Sequence, residues 1–177
     1  GGGTIEEEDP TPRTIQAEIE EFQGDVVNII PPQKAGAIAF AADLVDGDWC
    51  PVDKRTFESS RHKDIYVLGD ASSAAKMPKS AYAANSQAKV AAAAIVSRFQ
   101  GLEPGDPTFT NTCYSVVGED FGISVAAVYG LNAKTNTIEP LPNSGGVSPA
   151  NASAEIRKRE VSYAHSWFKN VINDMME

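Results

Sequence analysis

Runs of apolar and polar residues divide the chain into an ordered series of elements. Thr14 to Glu20 alternates polar and apolar as a half-exposed strand does, Gly24-Asp25 makes a turn, and Val26 to Ile30 reads as a buried strand stopped by Pro31-Pro32. Ala35 to Leu44 has the composition of a short alanine-rich helix. Ile65 to Leu68 sets four β-formers in a row, the pattern of an interior parallel strand covered on both faces. From Ala81 to Gln100 an alanine-rich run repeats Ala84, Ala88, Ala91, Ile95 and Phe99 at three- and four-residue steps, which predicts a helix. Pro78 suits its first turn and Gly101 the position just past its end. Gly101 to Pro107 is a linker by composition, and beyond it the period changes. Thr108 to Val117 and Ile123 to Tyr129 read as antiparallel strands about a Gly118 to Gly122 turn, with a third at Thr137 to Leu141. The tail is helical: Asn151 or Ser153 caps it, and Ile156, Glu160/Val161, Ala164, Trp167/Phe168, Val171/Ile172 and Met175 share one face.

The junction after Leu68 carries the first chemical signal. Gly69 lets the backbone at the carboxyl end of the expected strand approach a ligand closely, and Asp70 then points at that ligand. Ligands of open α/β sheets sit off the carboxyl ends of strands, where a carboxylate accepts hydrogen bonds from sugar or ribityl hydroxyls. An ordinary strand-to-turn junction has the same letters. The helix that follows starts close to Asp70, and its unpaired N–H groups and dipole favour anionic atoms such as the pyrimidine edge of a reduced flavin.

Composition narrows the classes. A chain of 177 residues buries a sizeable core as one domain or two small ones. With 15 basic and 24 acidic residues its net charge is −9, which disfavours nucleic acid or an anionic membrane and permits a cationic protein partner. No segment approaches the roughly 20 apolar residues of a membrane span. Two cysteines and two histidines at these distances make no zinc signature, so no metal is expected, and whether Cys50 and Cys113 pair cannot be read from their spacing. No Gly-x-Gly-x-x-Gly is present, and Gly1-Gly2-Gly3 lacks the strand and spacing to stand in for one.

The Thr56 to Ala71 segment looks like the second FAD motif of two-dinucleotide-domain flavoproteins. The wider set of Asn28 to Gln33, Trp49-Cys50-Pro51-Val52-Asp53, Met77-Pro78-Lys79-Ser80, Ala84-Asn85-Ser86-Gln87 and Asn111-Thr112-Cys113-Tyr114-Ser115 resembles the flavoprotein subunit of flavocytochrome c sulfide dehydrogenase. Gly122 to Tyr129, Ser144 to Val147 and Arg159 to Trp167 follow in family order, so the resemblance runs from about Asp25 to the carboxyl end. It implies an α/β fold class: the end of a glutathione-reductase-like FAD/NAD fold, plus a carboxyl-terminal α+β domain with antiparallel strands and a terminal helix. Residues 1–33 would be the tail of an NAD-type nucleotide-binding domain, 34–101 the closing segment of the FAD domain, and 108–177 a flavin-covering or interface domain. The family is much longer, which implies that its amino-terminal half, with the fingerprint for the ADP part of FAD, is absent here.

By the same resemblance Gly69, Asp70, Ala71, Lys79, Ser80 and Tyr82 contribute to FAD binding, with Asp70 on the ribityl chain. Cys113 becomes one sulfur of a redox-active disulfide whose partner lies in the absent half. A hydrosulfide ion attacking such a disulfide yields a persulfide and a thiolate, and electrons pass through FAD to a c-type dihaem cytochrome subunit in the periplasm. A buried structural thiol is the competing reading of Cys113, and Cys50 is expected to be a packed thiol. Tyr82 and Trp167 match aromatic positions of the family and are candidate electron relays, against the plainer reading that Trp167 and Phe168 fill a core face. His62 and His165 read as a loop and a helix-surface residue. Two alternatives stay open. A sulfide:quinone oxidoreductase, or related disulfide oxidoreductase, would share the Gly-Asp turn and the cysteine but calls for a more apolar tail than Asn170 to Glu177. A non-catalytic module that docks a cytochrome would hold no flavin.

Overall fold

The structure is a computed structural model, and it describes residues 24–176. The expected strand at Thr14 to Glu20 lies outside those residues. Gly24 to Gln33 belongs to a first unit of the chain and runs without helix or strand. Val26 to Ile30 is therefore not the buried strand its composition suggests, and its side chains are exposed. A run of β-formers becomes a strand only when a neighbour satisfies its N–H and C=O groups, and Pro31-Pro32 can donate to no ladder.

The second unit begins at Lys34. Its first helix, α1 (Ala37–Ala41), is shorter than the alanine-rich run because Asp43 takes a left-handed φ of 53° and ends it. Ala35, Ala39, Leu44 and Cys50 close a small core behind it.

Ile65 to Leu68 departs most from expectation. The Ser59 N–H donates to the Ile65 carbonyl at 2.7 Å and the Val67 N–H to the Phe57 carbonyl at 2.9 Å, so the segment pairs antiparallel with the residues just before it. Ile65 and Leu68 remain 40% and 36% exposed. A parallel partner needs a long crossover connection, whereas the short Ser60 to Asp64 loop returns the chain directly. The expected buried parallel strand is thus a short antiparallel hairpin arm. It ends in a single 3₁₀ turn, Gly69–Ala71.

Helix α2 (Ala81–Phe99) stops where expected, with Gly101 at φ 69°. Ser80 caps it, its Oγ accepting the Ala83 N–H at 3.1 Å, which leaves Pro78 outside the first turn. Its buried stripe is Ala83, Gln87, Ala91 and Ala94, which shares only Ala91 with the repeating set Ala84, Ala88, Ala91, Ile95 and Phe99, and Phe99 is 87% exposed. The stripe is rotated by one residue, about 100°.

Four strands follow: β1 (Thr108–Gly118), β2 (Phe121–Asn132), β3 (Thr137–Pro140) and β4 (Gly146–Val147), the last unforeseen. They form one antiparallel sheet in the order β1-β2-β3, with β4 added to β2 at Val125 and Ala126. Phe109, Tyr129 and Ile138 join Val52, Phe57, Met77, Ala83 and Ala91 in one core, so the segments on either side of the Gly101 to Pro107 linker pack together. Helix α3 (Ala154–Met176) crosses the sheet at Gly122, where a β-carbon would stand 2.8 Å from the Val161 nitrogen. Only glycine permits that approach. Arg157 is buried beside the crossing, donating to the Pro149 carbonyl at 2.6 Å and lying 4.9 Å over the Phe121 ring.

The far end of α3 is tied back to α2 by Asp174, which takes Lys89 at 2.8 Å and the Asn85 amide at 3.3 Å. The hydrogen bond from Lys89, then that from Asn85, holds the Asp174 carboxyl below its ordinary value of 3.8. A depressed carboxyl supports the fold above its unfolded value and loses that support as pH falls through the folded one. Acidification below about pH 4 should therefore loosen this end of α3. The change is read as Trp167 fluorescence in a Trp49→Phe background, and Asp174→Asn should abolish it.

Candidate functional site

The residues foreseen for cofactor binding meet around the amino end of α2. Gly69, at φ 69°, donates its N–H to Gln87 Oε1 at 2.7 Å, so the turn is clamped by a side chain one and a half turns into the helix. A β-carbon on Gly69 would press on Ala84 Cβ at 3.3 Å. The other end of the Gln87 amide lies 3.7 Å from Met77 Sδ. Lys79 folds back over this turn, donating to the Asp70 and Ser72 carbonyls, and its Nζ stands 3.7 Å above the Trp49 ring. Burial pushes the Lys79 ammonium below its usual range, with the charge of Asp70 opposing.

Gly69, Lys79, Trp49, Met77 and Gln87 line a cavity of about 270 Å³. It combines an indole face, a thioether, a positive charge and a glycine backbone at a helix amino end. Those features suit a planar, electron-rich ring whose far edge gains negative charge. Asp70 and Ala71 form the 3₁₀ turn beside it, and the Asp70 side chain is exposed.

Cys113 reaches the same helix end from the sheet. It is an exposed thiol on β1, opposite Val125, whose other neighbour is Val147. Val125, Val147 and Ile123 are exposed around it, so the sheet face that is core at Phe109 is bare and apolar at Cys113. Between these two positions lies Asn111, which contacts Ser80 Oγ through Oδ1 at 2.5 Å and Cys113 Sγ through Nδ2 at 3.4 Å. Neither Asp70 nor Cys113 lines this cavity, and the sulfur is joined to the start of α2 through Asn111 and the Ser80 cap.

Tyr82 and Trp167 do meet. Their rings stack with centroids 5.2 Å apart and planes 17° apart, at the wall of a larger cavity of about 460 Å³ between α2, the start of β1 and the end of α3. Phe168 points away and is exposed, so it fills no core face with Trp167. Cys50 is the packed thiol expected of it: fully buried, unpaired, with burial pushing its ionisation up. His62 stays a loop residue, its Nε2 3.1 Å from the Asp43 carbonyl, and His165 is exposed on α3. Among the described residues no group of three metal-ligating side chains converges.

Four residues of the site were not foreseen as such: Trp49, Met77, Gln87 and Asn111. Trp49, Met77 and Gln87 stand inside motifs quoted for the family, and Asn111 stands two residues from Cys113, the spacing that puts both on one face of a strand. Nothing in the letters distinguished their roles.

Residues 105–176 match a protein-family model described as flavocytochrome c sulphide dehydrogenase, flavin-binding. Over that segment the chain is similar to the flavin-binding domain of this family. The match takes in all four strands and α3, and with them Cys113, Asn111 and Trp167. Gly69, Lys79 and Ser80 precede it in sequence and are joined to it through Asn111 and the shared core. A flavin-binding family is consistent with FAD. The family's name also brings a cytochrome partner into view. No helix among the described residues is long and apolar enough to cross a membrane.

Proposed function

We propose that this chain is the carboxyl-terminal part of a sulfide-oxidising flavoprotein of the two-dinucleotide-domain type. It would act with FAD, an amino-terminal half and a c-type dihaem cytochrome subunit, in the periplasm. The observation that carries this reading is Cys113: an exposed thiol on a bare apolar sheet face of a flavin-binding domain, hydrogen-bonded toward the helix end where Gly69 and Lys79 form a cradle.

The geometry supports the following roles. Gly69 and Ala71 would offer backbone contacts to the cofactor, Ser80 would act through the start of α2 that it caps, Lys79 would place positive charge there, and Asp70 would accept from ribityl hydroxyls. Bound FAD would supply the two-electron acceptor that sulfide needs and release the electrons singly. Cys113 would form a disulfide with a cysteine of the amino-terminal half, since Cys50 is fully buried. Hydrosulfide attack on the partner sulfur breaks the S–S bond, leaves a persulfide there and leaves Cys113 as the thiolate. The Tyr82–Trp167 stack extends from the first turn of α2 toward the cavity under α3, a route for electrons to the cytochrome.

Mixing the chain with FAD, alone and together with an amino-terminal half that carries the phosphate-binding fingerprint, tests the proposal through the visible spectrum during a sulfide titration. Flavin absorbance should be bleached by sulfide only in the reconstituted pair. Failure of both preparations to take up flavin would overturn it.

A further inference from the structure

Asn111 stands where a core-facing strand position ordinarily carries an apolar side chain. Phe109, two residues earlier in the same row, is fully buried, and Ala127 across the ladder is small enough to leave room for an amide. Asn111 is 4% exposed, so both ends of its amide need partners within the protein. Ser80 Oγ already accepts the Ala83 N–H at 3.1 Å, and it presents its own proton to Asn111 Oδ1 at 2.5 Å. That holds the carbonyl end of the amide toward the helix and leaves Nδ2 for Cys113 Sγ, 3.4 Å away. A chain of donors thus runs one way, from the amino end of α2 through a hydroxyl and an amide to a sulfur, each bond polarising the next.

We propose that Asn111 is a positioning residue for the Cys113 thiolate, its amide locked by Ser80 so that an N–H faces the sulfur. The proposal rests on the reading of Cys113 as a redox sulfur. A thiol accepts hydrogen bonds weakly, whereas the thiolate is an anion and accepts them strongly, so a fixed donor favours the charged form. The thiolate is the form that attacks or leaves a disulfide. Among the described residues, Tyr129 on β2 is the ionisable group whose charge is coupled to Cys113, and burial keeps its hydroxyl protonated to higher pH than usual. Near neutrality Tyr129 therefore carries no charge, and the hydrogen bond to the sulfur comes from the Asn111 amide.

Alkylation of the 177-residue chain by iodoacetamide tests this, with the rate at Cys113 followed by mass spectrometry apart from the buried Cys50. Rates are taken from about pH 6 to about pH 9, the range over which an ordinary thiol ionises. Asn111→Leu should slow alkylation about three-fold at neutral pH and close that gap as pH rises toward about 9, because the lost hydrogen bond lowers the thiolate fraction more than it raises the nucleophilicity of the anion. Asn111→Asp, of the same shape but without the N–H, should slow it at least as much. Ser80→Ala, which removes the hydroxyl that fixes the amide, should also slow it. Circular dichroism melts establish which variants fold. A folded Asn111→Leu or Asn111→Asp variant whose rate profile superimposes on that of the wild type would overturn the proposal. Neither flavin nor sulfide enters the assay. A Cys113 that proves idle in sulfide oxidation would sink the functional reading and leave this result standing on its own.

Discussion

Replacing Cys113 by serine should stop sulfide-driven bleaching of the flavin in the reconstituted flavoprotein and leave reduction by dithionite intact. The side chain is exposed and nearly isosteric with its replacement, and Asn111 Nδ2 can donate to an oxygen as it does to the sulfur. Folding and flavin binding should therefore be unaffected. The chemistry is another matter: a serine hydroxyl cannot form a disulfide or leave as a low-energy anion near neutral pH. Loss of one member of a catalytic unit of this kind commonly costs on the order of a thousand-fold or more. The comparison of two reductants separates the sulfur step from the flavin itself. Under the proposed mechanism dithionite reaches the flavin directly, whereas sulfide acts through the disulfide of Cys113. Sulfide kinetics unchanged in Cys113→Ser would remove this residue from the mechanism while leaving the flavin assignment untouched.

The largest stability effect is expected at Phe109. Its side chain is fully buried, meets Phe57 edge to face with ring centroids 5.7 Å apart, and lies in the core shared by residues before and after the Gly101 to Pro107 linker. Phe109→Ala should lower the unfolding free energy by about 3–5 kcal/mol, through lost transfer energy and a residual cavity. The unfolding transition should remain single, because both segments draw on the same core. Phe99→Ala is the matched control. Phe99 shares the helical spacing of Ala84, Ala88, Ala91 and Ile95, yet it is 87% exposed, and its loss should stay within about 0.5 kcal/mol. Urea unfolding followed by far-ultraviolet circular dichroism measures both. A Phe99 variant that costs as much as the Phe109 variant would mean that α2 is turned the other way.

That pair also marks where the sequence was legible. The ends of α2 could be read from the alanine-rich run that begins at Ala81 and from Gly101, which tolerates a positive φ at little cost, although Ser80 rather than the foreseen Pro78 makes the start. Which face of α2 is buried could not be read, since alanine occupies every face and offers no contrast in transfer energy. The true stripe runs through Gln87, a residue that polarity alone assigns to solvent. Gln87 is buried because the Gly69 N–H needs an acceptor, and that need appears only once the turn has been folded against the helix. The sheet was easier. β1 and β2 are long, close in sequence and joined by a short turn, so local pairing dominates. The two-residue β4 has too little pattern to be seen. Ile65 to Leu68 failed for the opposite reason, because a run of four β-formers does not say which neighbour will pair with it.

The candidate site divides in the same way. Gly69, Lys79, Ser80 and Cys113 were named from their own chemistry and from motif resemblance, properties that belong to short stretches of chain. The Tyr82–Trp167 stack and the path from Ser80 through Asn111 to Cys113 join residues 85 and 33 positions apart. By itself, then, the order of residues settled the elements whose causes are local: caps, glycine turns, alternating strands and the presence of a reactive sulfur. Which atoms face one another was decided by packing. A hydrogen bond or ring stack between distant residues depends on how helix, sheet and turn share one core, and that arrangement minimises exposed apolar area and unpaired polar groups over the whole unit at once.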